Sequence, residues 1–174
     1  GTLFDVHSAM SRYQTRLGDK AQAVSELWRT KQLQYTWLRN LMQRYVDFWQ
    51  ITQDALDYAL DSYGIDDQNL RRDILNAYHE LDCYQEVPET LRNLKEHGLG
   101  TAILSNGTLQ MLEAGIRNSR LEKLLDAVFS VDTIRIFKPD PQVYQLAVDQ
   151  LGCSPHEILF FSSNAWDVSG AATF

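Results

Sequence analysis

The sequence predicts an α/β fold, with a small bundle of helices in the first half of the chain and a parallel sheet in the second half. Residues 8–84 carry apolar side chains at helical spacings and show no strand-like alternation. From residue 85 onward, short apolar runs alternate with helical segments, the order typical of a parallel α/β sheet. A chain of 174 residues can form such a core with a small additional domain.

The helices of the first half are predicted from three apolar stripes. One stripe predicts a helix through residues spaced by three and four: Leu33, Trp37, Leu41, Tyr45 and Phe48. A second stripe starts near Leu56, where Thr52 is placed to cap the helix and Gly64 to end it in a left-handed conformation. The third stripe consists of Leu70, Ile74, Ala77, Tyr78 and Leu81.

Strands and helices alternate in the predicted second half. The strands lie within residues 100–107, 127–131 and 158–161. Helices begin at Pro88, near Leu109 and at Pro141, in two cases because proline suits the first helical turn. The run at 158–161 has four large apolar side chains in succession, which predicts a strand buried on both faces.

Charge and cysteine content argue against several classes of protein. The formal net charge is −7 and the four histidines do not cluster, so a nucleic-acid partner is not expected. Cys83 and Cys153 lie far apart without CxxC spacing, which favours free thiols in a reducing cytoplasm over a disulfide. Neither a signal peptide nor a long apolar run is present, so export and a membrane span are disfavoured. The chain starts without methionine and ends inside a motif, so we expect an internal fragment of a longer protein.

Polar residues follow each predicted strand, at the point where the strand ends. Ser105 and Asn106 follow the first strand, Lys138 lies in the loop after the second, and Asn164 and Asp167 follow the third. The carboxyl ends of the strands form the ligand crevice of an open parallel sheet, so we expect these side chains in one cleft. The helix after the first strand has free N–H groups that favour an anion.

Each of these residues also has an ordinary structural explanation. Asn106 could belong to a turn, Lys138 could be a solvated surface lysine, and Asp167 could cap the last helix. Trp166 could be a core residue, and Arg29 could lie on the surface of the bundle. The joint placement of polar residues at three successive strand ends favours a functional site over these separate explanations.

Five segments, in the same order, resemble the L-2-haloacid dehalogenases of the haloacid dehalogenase superfamily. They are GTLFDVHS at the start, LWRTKQLQYTWLRNLM in the helical half, and ILSNG, FKPDPQVY and FFSSNAWD in the second half. The resemblance implies a Rossmann-like core with a helical cap inserted after the first strand. The core would comprise residues 1–7 and 85–174, incomplete at both ends, and the cap would comprise residues 8–84.

The resemblance also implies the reaction. Halide would be displaced hydrolytically from C2 of a short L-2-haloalkanoic acid through a covalent aspartyl ester, with inversion, to give a D-2-hydroxy acid. The nucleophilic aspartate would lie three positions before Gly1, so the 174 residues alone would be inactive by this route. Two alternatives stay open: a phosphatase of the same superfamily, and a non-catalytic binding relic of the fold.

The last of the five segments implies a reaction without metal or cofactor. Superfamily phosphatases place acidic residues at the end of this strand to hold Mg²⁺, whereas this chain has Ser162, Ser163 and Asn164 there. Asp167 alone supplies too few carboxylates for a magnesium site. The implied partners are the 2-haloalkanoic acid and water, and the resemblance suggests a homodimer.

The family pattern implies roles at the reacting carbon. Thr2 would support the carboxylate of the nucleophile with its hydroxyl. Arg29 and Asn106 would hold the departing halide, whose charge develops as the bond breaks. Ser105, with nearby backbone N–H groups, would bind the substrate carboxylate. Thr30 stands where several relatives carry glutamine, which leaves the substrate preference of the pocket open.

The remaining implied roles concern the hydrolytic step and the pocket walls. Lys138 would neutralise the cluster of carboxylates, helped by Tyr144 and Ser162. Asn164 and Asp167 would orient and activate the hydrolytic water. Three apolar residues would wall the substrate pocket and exclude solvent, although each could equally be core packing: Leu33, Phe48 and Trp166.

Overall fold

The computed structural model describes residues 1–174 and has nine α-helices and two β-strands. The first half holds α1 (Ser8–Ser11), α2 (Gln14–Leu17), α3 (Ala21–Met42), α4 (Phe48–Ser62) and α5 (Gln68–Tyr78). The second half holds α6 (Val87–Glu96), β1 (Ala102–Ser105), α7 (Leu109–Asn118), β2 (Ala127–Ser130), α8 (Pro141–Leu151) and α9 (Ala165–Thr173). The α/β fold with helices first is therefore confirmed. None of these helices combines the length and the apolar character needed to cross a membrane.

β1 and β2 form a parallel two-stranded sheet, as predicted. Ala102 lies opposite Ala127, and Ser105 lies opposite Ser130. α6 and α7 pack against β1 through one apolar cluster: Val87, Leu91, Ile103, Leu112, Ile116 and Leu121. Because the two strands run in the same direction, the polar residues that follow each of them reach the same edge of the sheet.

The prediction of a third strand at residues 158–161 is wrong. The segment pairs with neither β1 nor β2, which are the two strands of the sheet. Leu159 and Phe161 are 79% and 67% exposed, whereas Ile158 and Phe160 are half-buried. Phe160 packs edge-on against Tyr144 of α8, with ring centroids 5.8 Å apart. The segment therefore buries one face. Burial of both faces needs flanking strands and covering helices, which an apolar run does not reveal by itself.

The buried face of α3 differs from the predicted stripe. It is formed by Ala21, Val24, Ser25, Trp28, Gln32 and Thr36. Leu41 of the predicted stripe is 81% exposed. The helix ends at Met42, and Gln43 takes a left-handed conformation with φ of 55°. This turn separates Tyr45 and Phe48 from α3, so the periodic pattern runs across two helices and does not mark one buried face.

α4 begins earlier than predicted. Its N-cap is Asp47, whose carboxylate accepts a hydrogen bond of 2.8 Å from a backbone N–H of the first turn. Thr52 lies inside the helix, where its hydroxyl donates to O of Phe48 at 2.7 Å, so the prediction of Thr52 as the cap is wrong. The predicted end is confirmed, because Gly64 has φ of 64° just after the last turn.

The helical segment leaves and rejoins the rest of the chain at one place. Phe4 forms an antiparallel bridge with Cys83, and backbone hydrogen bonds on either side hold the two segments together. The division into a core of residues 1–7 and 85–174 and a cap of residues 8–84 stays a prediction, which this geometry supports.

Candidate active site

A cavity of about 190 Å³ lies where the helical bundle meets the carboxyl end of β1. It is lined by eleven of the twelve residues predicted for the site: Thr2, Arg29, Leu33, Phe48, Ser105, Asn106, Lys138, Ser162, Asn164, Trp166 and Asp167. The twelfth, Tyr144, lies behind the cavity and contacts Asp167. A larger open groove of about 1140 Å³ between α3 and α4 contains none of the twelve.

A buried ion pair forms the floor of the cavity. Nζ of Lys138 lies 2.9 Å from Oδ2 of Asp167, and the two residues are 6% and 4% exposed. The hydroxyl of Tyr144 donates to Oδ1 of the same carboxylate at 2.9 Å. Nζ of Lys138 also lies 4.8 Å from the ring centre of Phe160. Lys138 is therefore not a solvated surface lysine, and Asp167 does not cap α9.

Burial changes the proton affinity of two of these groups. It lowers the pKa of Lys138, because an ammonium is costly to bury, while the charge of Asp167 opposes that shift. Burial also raises the pKa of the Tyr144 phenol, and the hydrogen bond to Asp167 adds to the effect. Tyr144 is therefore held as a neutral donor to the carboxylate.

The loop after β1 presents an oriented amide and a hydroxyl. Oδ1 of Asn106 accepts from N of Lys138 at 3.0 Å, so the amide N–H groups are left for a ligand. Oγ of Ser105 accepts from N of Gly107 at 3.0 Å, which leaves its own proton to donate. Ser130 holds this loop, because its hydroxyl donates to O of Gly107 at 2.7 Å. The sequence reasoning missed Ser130, whose one signal is its place at the end of a predicted strand.

The start of the chain meets the loop before α9. Oγ1 of Thr2 accepts from N of Ser163 at 3.1 Å. Oγ of Ser162 accepts from N of Asn164 at 3.2 Å. Because both hydroxyl oxygens act as acceptors from the backbone, both hydroxyl protons remain for a ligand in the cavity.

α9 delivers Asp167 to the site because Gly170 allows it to approach α8 closely. A Cβ atom at Gly170 would lie 2.5 Å from the Tyr144 hydroxyl oxygen and 2.7 Å from Cβ of Pro139. Both distances are below normal contact. The sequence reasoning missed Gly170, although a glycine inside a helix is a recognised signal of close backbone approach.

The bundle contributes a cation that has no carboxylate partner. Arg29 of α3 is half-buried, lines the cavity and forms no ion pair. Its one side-chain hydrogen bond runs from Nη1 to Oε1 of Gln32 at 3.4 Å. The remaining guanidinium donors are therefore available to an anion, and Arg29 is not a residue of the outer surface of the bundle.

The three apolar side chains predicted to wall the pocket all line the cavity, among twelve hydrophobic residues in its lining: Leu33, Phe48 and Trp166. Phe48 also belongs to a core cluster and meets Phe137 edge-on, with centroids 6.4 Å apart. Trp166 meets Trp37 edge-on at 5.4 Å. The core interpretation and the pocket interpretation therefore both hold for Phe48. Trp166 and Leu33 line the cavity but are half-buried and belong to no buried core cluster.

Asn40 holds the segment that carries Lys138. Its Nδ2 donates to O of Phe137 at 2.7 Å, and its Oδ1 accepts from N of Phe137 at 3.0 Å. Asn40 belongs to α3, so this pair of bonds joins the bundle directly to the residue before Lys138. The sequence reasoning missed Asn40, because an asparagine late in a predicted helix carries no signal of a distant partner.

The cavity suits a small anion. Two cations, Arg29 and Lys138, face it with a single carboxylate, Asp167, which Lys138 already neutralises. No group of three His, Cys, Asp or Glu side chains in the structure converges as metal ligands would. The small volume restricts a ligand to a few heavy atoms.

Comparison with known proteins agrees with this chemistry. A family model described as haloacid dehalogenase-like hydrolase matches residues 1–174. The chain is 49% identical over 175 residues to (S)-2-haloacid dehalogenase 4A of Burkholderia cepacia. The match covers all of this chain and 76% of that protein. A crystal structure of a dehalogenase matches with a TM-score of 0.98 at 48% identity, over 99% of this chain and 77% of that one. The structure of L-2-haloacid dehalogenase from Xanthobacter autotrophicus with chloropropionic acid covalently bound matches with a TM-score of 0.92 at 43% identity. The match covers 100% of this chain and 71% of that one.

Proposed function

The chain belongs to the haloacid dehalogenase-like hydrolases, among relatives of the (S)-2-haloacid dehalogenase type, and on this premise we propose that it hydrolyses the carbon–halogen bond of short L-2-haloalkanoic acids. One observation carries the proposal. The small cavity that contains the buried pair of Lys138 and Asp167 also has two sets of free N–H donors. They belong to Arg29, which has no carboxylate partner, and to the oriented amide of Asn106.

The reaction has two chemical steps. A carboxylate oxygen of the nucleophile attacks C2 from the side opposite the halogen, an ester bond forms, and halide leaves with the bonding electron pair. Water then adds to the carbonyl carbon of that ester, so the carboxylate is restored and the 2-hydroxy acid is released. Attack from the rear inverts C2, which converts an L substrate into a D product. The family pattern assigns the nucleophile to the position three residues before Gly1.

Halide departure depends on the donors that face the leaving group. Arg29 offers guanidinium N–H groups, and Asn106 offers amide N–H groups because its oxygen is held by N of Lys138. Negative charge grows on the halogen as the bond breaks, so these donors stabilise the transition state more than the substrate. Ser105 donates its hydroxyl proton to the substrate carboxylate, which orients C2.

The hydrolytic step depends on the buried pair. Lys138 and Tyr144 hold the two carboxylate oxygens of Asp167, which fixes the orientation of the carboxylate and leaves lone pairs for a water. Asn164 and Ser162 line the same cavity from the segment just before α9 and position that water. The ammonium of Lys138 also offsets the negative charge of the nucleophile and the substrate.

The experiment that tests this function uses an extended chain. The extended chain continues upstream of Gly1 with the family's first strand, ending in Asp-x-Tyr, and continues downstream of Phe174. It should release halide from L-2-chloropropionate and leave D-2-chloropropionate unchanged. The Asp→Asn form of the extended chain should fold and be much slower. Equal release from both enantiomers, or full activity of the Asn form, would contradict the mechanism.

The phosphatase alternative is less well supported. It needs several oxygen ligands for Mg²⁺, and the cavity has one carboxylate, which two protein donors already engage. The binding-relic alternative differs from the enzyme only in the residue at the nucleophile position. A residue other than Asp there, together with halide binding but no turnover, would support the relic.

We also propose a homodimer that forms through the groove between α3 and α4. Three large apolar side chains lie exposed along it: Leu38, Met42 and Tyr58. The groove carries two arginines, Arg39 and Arg71, among five aspartates, so an arginine of one copy can meet an aspartate of the other about a two-fold axis. Sedimentation should find Leu38→Glu monomeric and the control Leu151→Glu, a similarly exposed leucine outside the groove, still dimeric.

A reducing cytoplasm is the proposed compartment. Cys83 and Cys153 are both free and half-buried, which suits a compartment where thiols stay reduced. Fractionation of the native host, followed by immunodetection of the protein, would test this assignment directly.

A further inference from the structure

We infer that Gln32 is a positioning residue for halide release, because its side-chain carbonyl holds the guanidinium of Arg29. The inference rests on the proposed function, since it concerns the leaving-group side of that same site. Gln32 lies one helical turn after Arg29 on α3 and is 1% exposed. Its Oε1 accepts a hydrogen bond from Nη1 of Arg29 at 3.4 Å.

The neighbours of Gln32 determine which way its amide points. The hydroxyl of Thr52 donates to O of Phe48 at 2.7 Å, so the Thr52 oxygen is left as an acceptor. Nε2 of Gln32 donates to that oxygen at 3.0 Å and to the hydroxyl oxygen of Tyr78 at 3.1 Å. With Nε2 committed to two acceptors, Oε1 is the end of the amide that faces Arg29.

Three side chains on three different helices together fix the orientation of Arg29. Gln32 lies on α3, Thr52 on α4 and Tyr78 on α5. A buried amide is costly unless all its groups are bonded, and here both ends of the amide have partners. The orientation of Gln32, and with it that of Arg29, therefore depends on three helices being in register.

A neutral acceptor is the appropriate partner for an arginine that binds a leaving halide. A carboxylate at position 32 would pair with the guanidinium permanently and would compete with the developing halide charge. A glutamine carbonyl restrains Arg29 while leaving its positive charge uncompensated, and Arg29 indeed forms no ion pair.

Tyr78 connects this network to the cavity. Its hydroxyl oxygen accepts from Gln32, so its own proton is free to point elsewhere, and Tyr78 is one of the residues that line the cavity. Burial raises the pKa of Tyr78, with the charge of Arg29 and the hydrogen bond from Gln32 opposing the shift, so the phenol keeps its proton.

The test compares two leaving groups in the extended chain. Bromide leaves more readily than chloride, so the loss of a group that stabilises the departing halide should slow the chloro substrate more. Halide release in the first turnover from L-2-chloropropionate and from L-2-bromopropionate should be measured for the wild type and for Gln32→Met, which keeps the side-chain length. We expect Gln32→Met to slow the chloro substrate roughly ten- to a hundred-fold and the bromo substrate several-fold less.

Thr36→Val is the matched control, because Thr36 is buried on the same face of α3 one turn further on and its hydroxyl donates to O of Leu33, outside the hydrogen bonds of Gln32 and Arg29. It should leave the ratio of the two rates unchanged. Equal losses for both substrates in Gln32→Met, or wild-type rates, would overturn the role of Gln32. An inactive wild-type extended chain would instead overturn the proposed function itself.

Two further variants protect the test against a folding failure of Gln32→Met. Tyr78→Phe removes one anchor and keeps the ring, so it should shift the bromo-to-chloro ratio in the same direction by a smaller factor. Gln32→Glu should lower the rates of both substrates and weaken inhibition by added bromide, because its carboxylate occupies Arg29. An unchanged ratio in a folded Tyr78→Phe, or unchanged bromide inhibition in Gln32→Glu, would also overturn the inference.

Discussion

Nζ of Lys138 lies 2.9 Å from Oδ2 of Asp167, and both side chains are withdrawn from solvent. The ammonium of Lys138 therefore supplies to the carboxylate the positive charge that a metal cation supplies in sites built from carboxylate ligands. The carboxylate is neutralised by a side chain of the same protein, and Tyr144 engages its other oxygen. Divalent cations would have to displace Lys138, which its ion pair with Asp167 holds in place against the cost of burial.

The first prediction follows from this arrangement and concerns metal removal. Halide release by the extended chain should be unchanged after dialysis against EDTA, because no step requires a divalent cation. The measurement is the initial rate before and after chelation, with and without added Mg²⁺. Activity that is lost in EDTA and restored by magnesium would move the protein to the phosphatase branch of the superfamily.

The second prediction concerns Arg29. Arg29→Lys should lower the rate of halide release by roughly thirty- to a thousand-fold, or about 2–4 kcal/mol of transition-state stabilisation. The reason is that a point charge on a flexible stem does not reproduce a planar set of donors. Arg44→Lys, at an exposed position without an ion pair, is the control and should keep the wild-type rate. A near-normal rate in Arg29→Lys would remove Arg29 from the halide site.

The third prediction concerns Gly170. Alanine normally favours a helix over glycine by about 1 kcal/mol, yet Gly170→Ala should destabilise the protein by roughly 1–3 kcal/mol. The added Cβ would lie 2.5 Å from the Tyr144 hydroxyl oxygen and 2.7 Å from Cβ of Pro139, so α9 or Tyr144 has to move.

Urea denaturation of both Gly170→Ala and Gly100→Ala measures this effect. Gly100 is the control, because a Cβ there would approach only the Asp126 carboxylate, at 3.9 Å. A Gly170→Ala variant as stable as the wild type would mean that the contact between α8 and α9 is looser than the structure indicates.

The fourth prediction concerns alkaline pH. The pKa of Tyr144 is raised in the folded state, so the folded protein holds this proton at pH values where the unfolded chain releases it. The contribution of Tyr144 to stability is therefore complete below pH 10 and declines as the pH rises from about 10 through its folded-state pKa. The decline is at most about 1.4 kcal/mol per pH unit.

Comparison with Tyr144→Phe isolates the contribution of the Tyr144 proton to stability, because phenylalanine has no proton to lose. The difference in free energy of unfolding between the wild type and Tyr144→Phe, measured in urea at each pH from 9 to 11.5, should be constant up to about pH 10 and fall above it. Lys138 acts in the opposite direction, since its pKa is lowered, but it is present in both proteins. A constant difference across this range would show that Tyr144 titrates as an ordinary tyrosine.

The local elements were predictable because their signals are local. β1 and β2 are short apolar runs followed by polar residues, and α8 begins at Pro141 after Asp140, which caps it through its own side chain. The order of the five segments likewise identified the residues that meet in the cavity, because each segment carries its chemistry within a few consecutive positions. For these features the sequence was sufficient.

Burial was decided by the tertiary structure. Periodicity indicates that α3 has an apolar side, but the face that becomes core depends on what α4 and α5 present to it, and Gln32 is buried there because Thr52 and Tyr78 bond to it. The run at 158–161 is half-exposed because it pairs with neither strand of the sheet. Lys138 became a buried cation because α9, approaching closely at Gly170, brings Asp167 to it. Each outcome depends on contacts between residues far apart in the chain, which a local pattern does not contain.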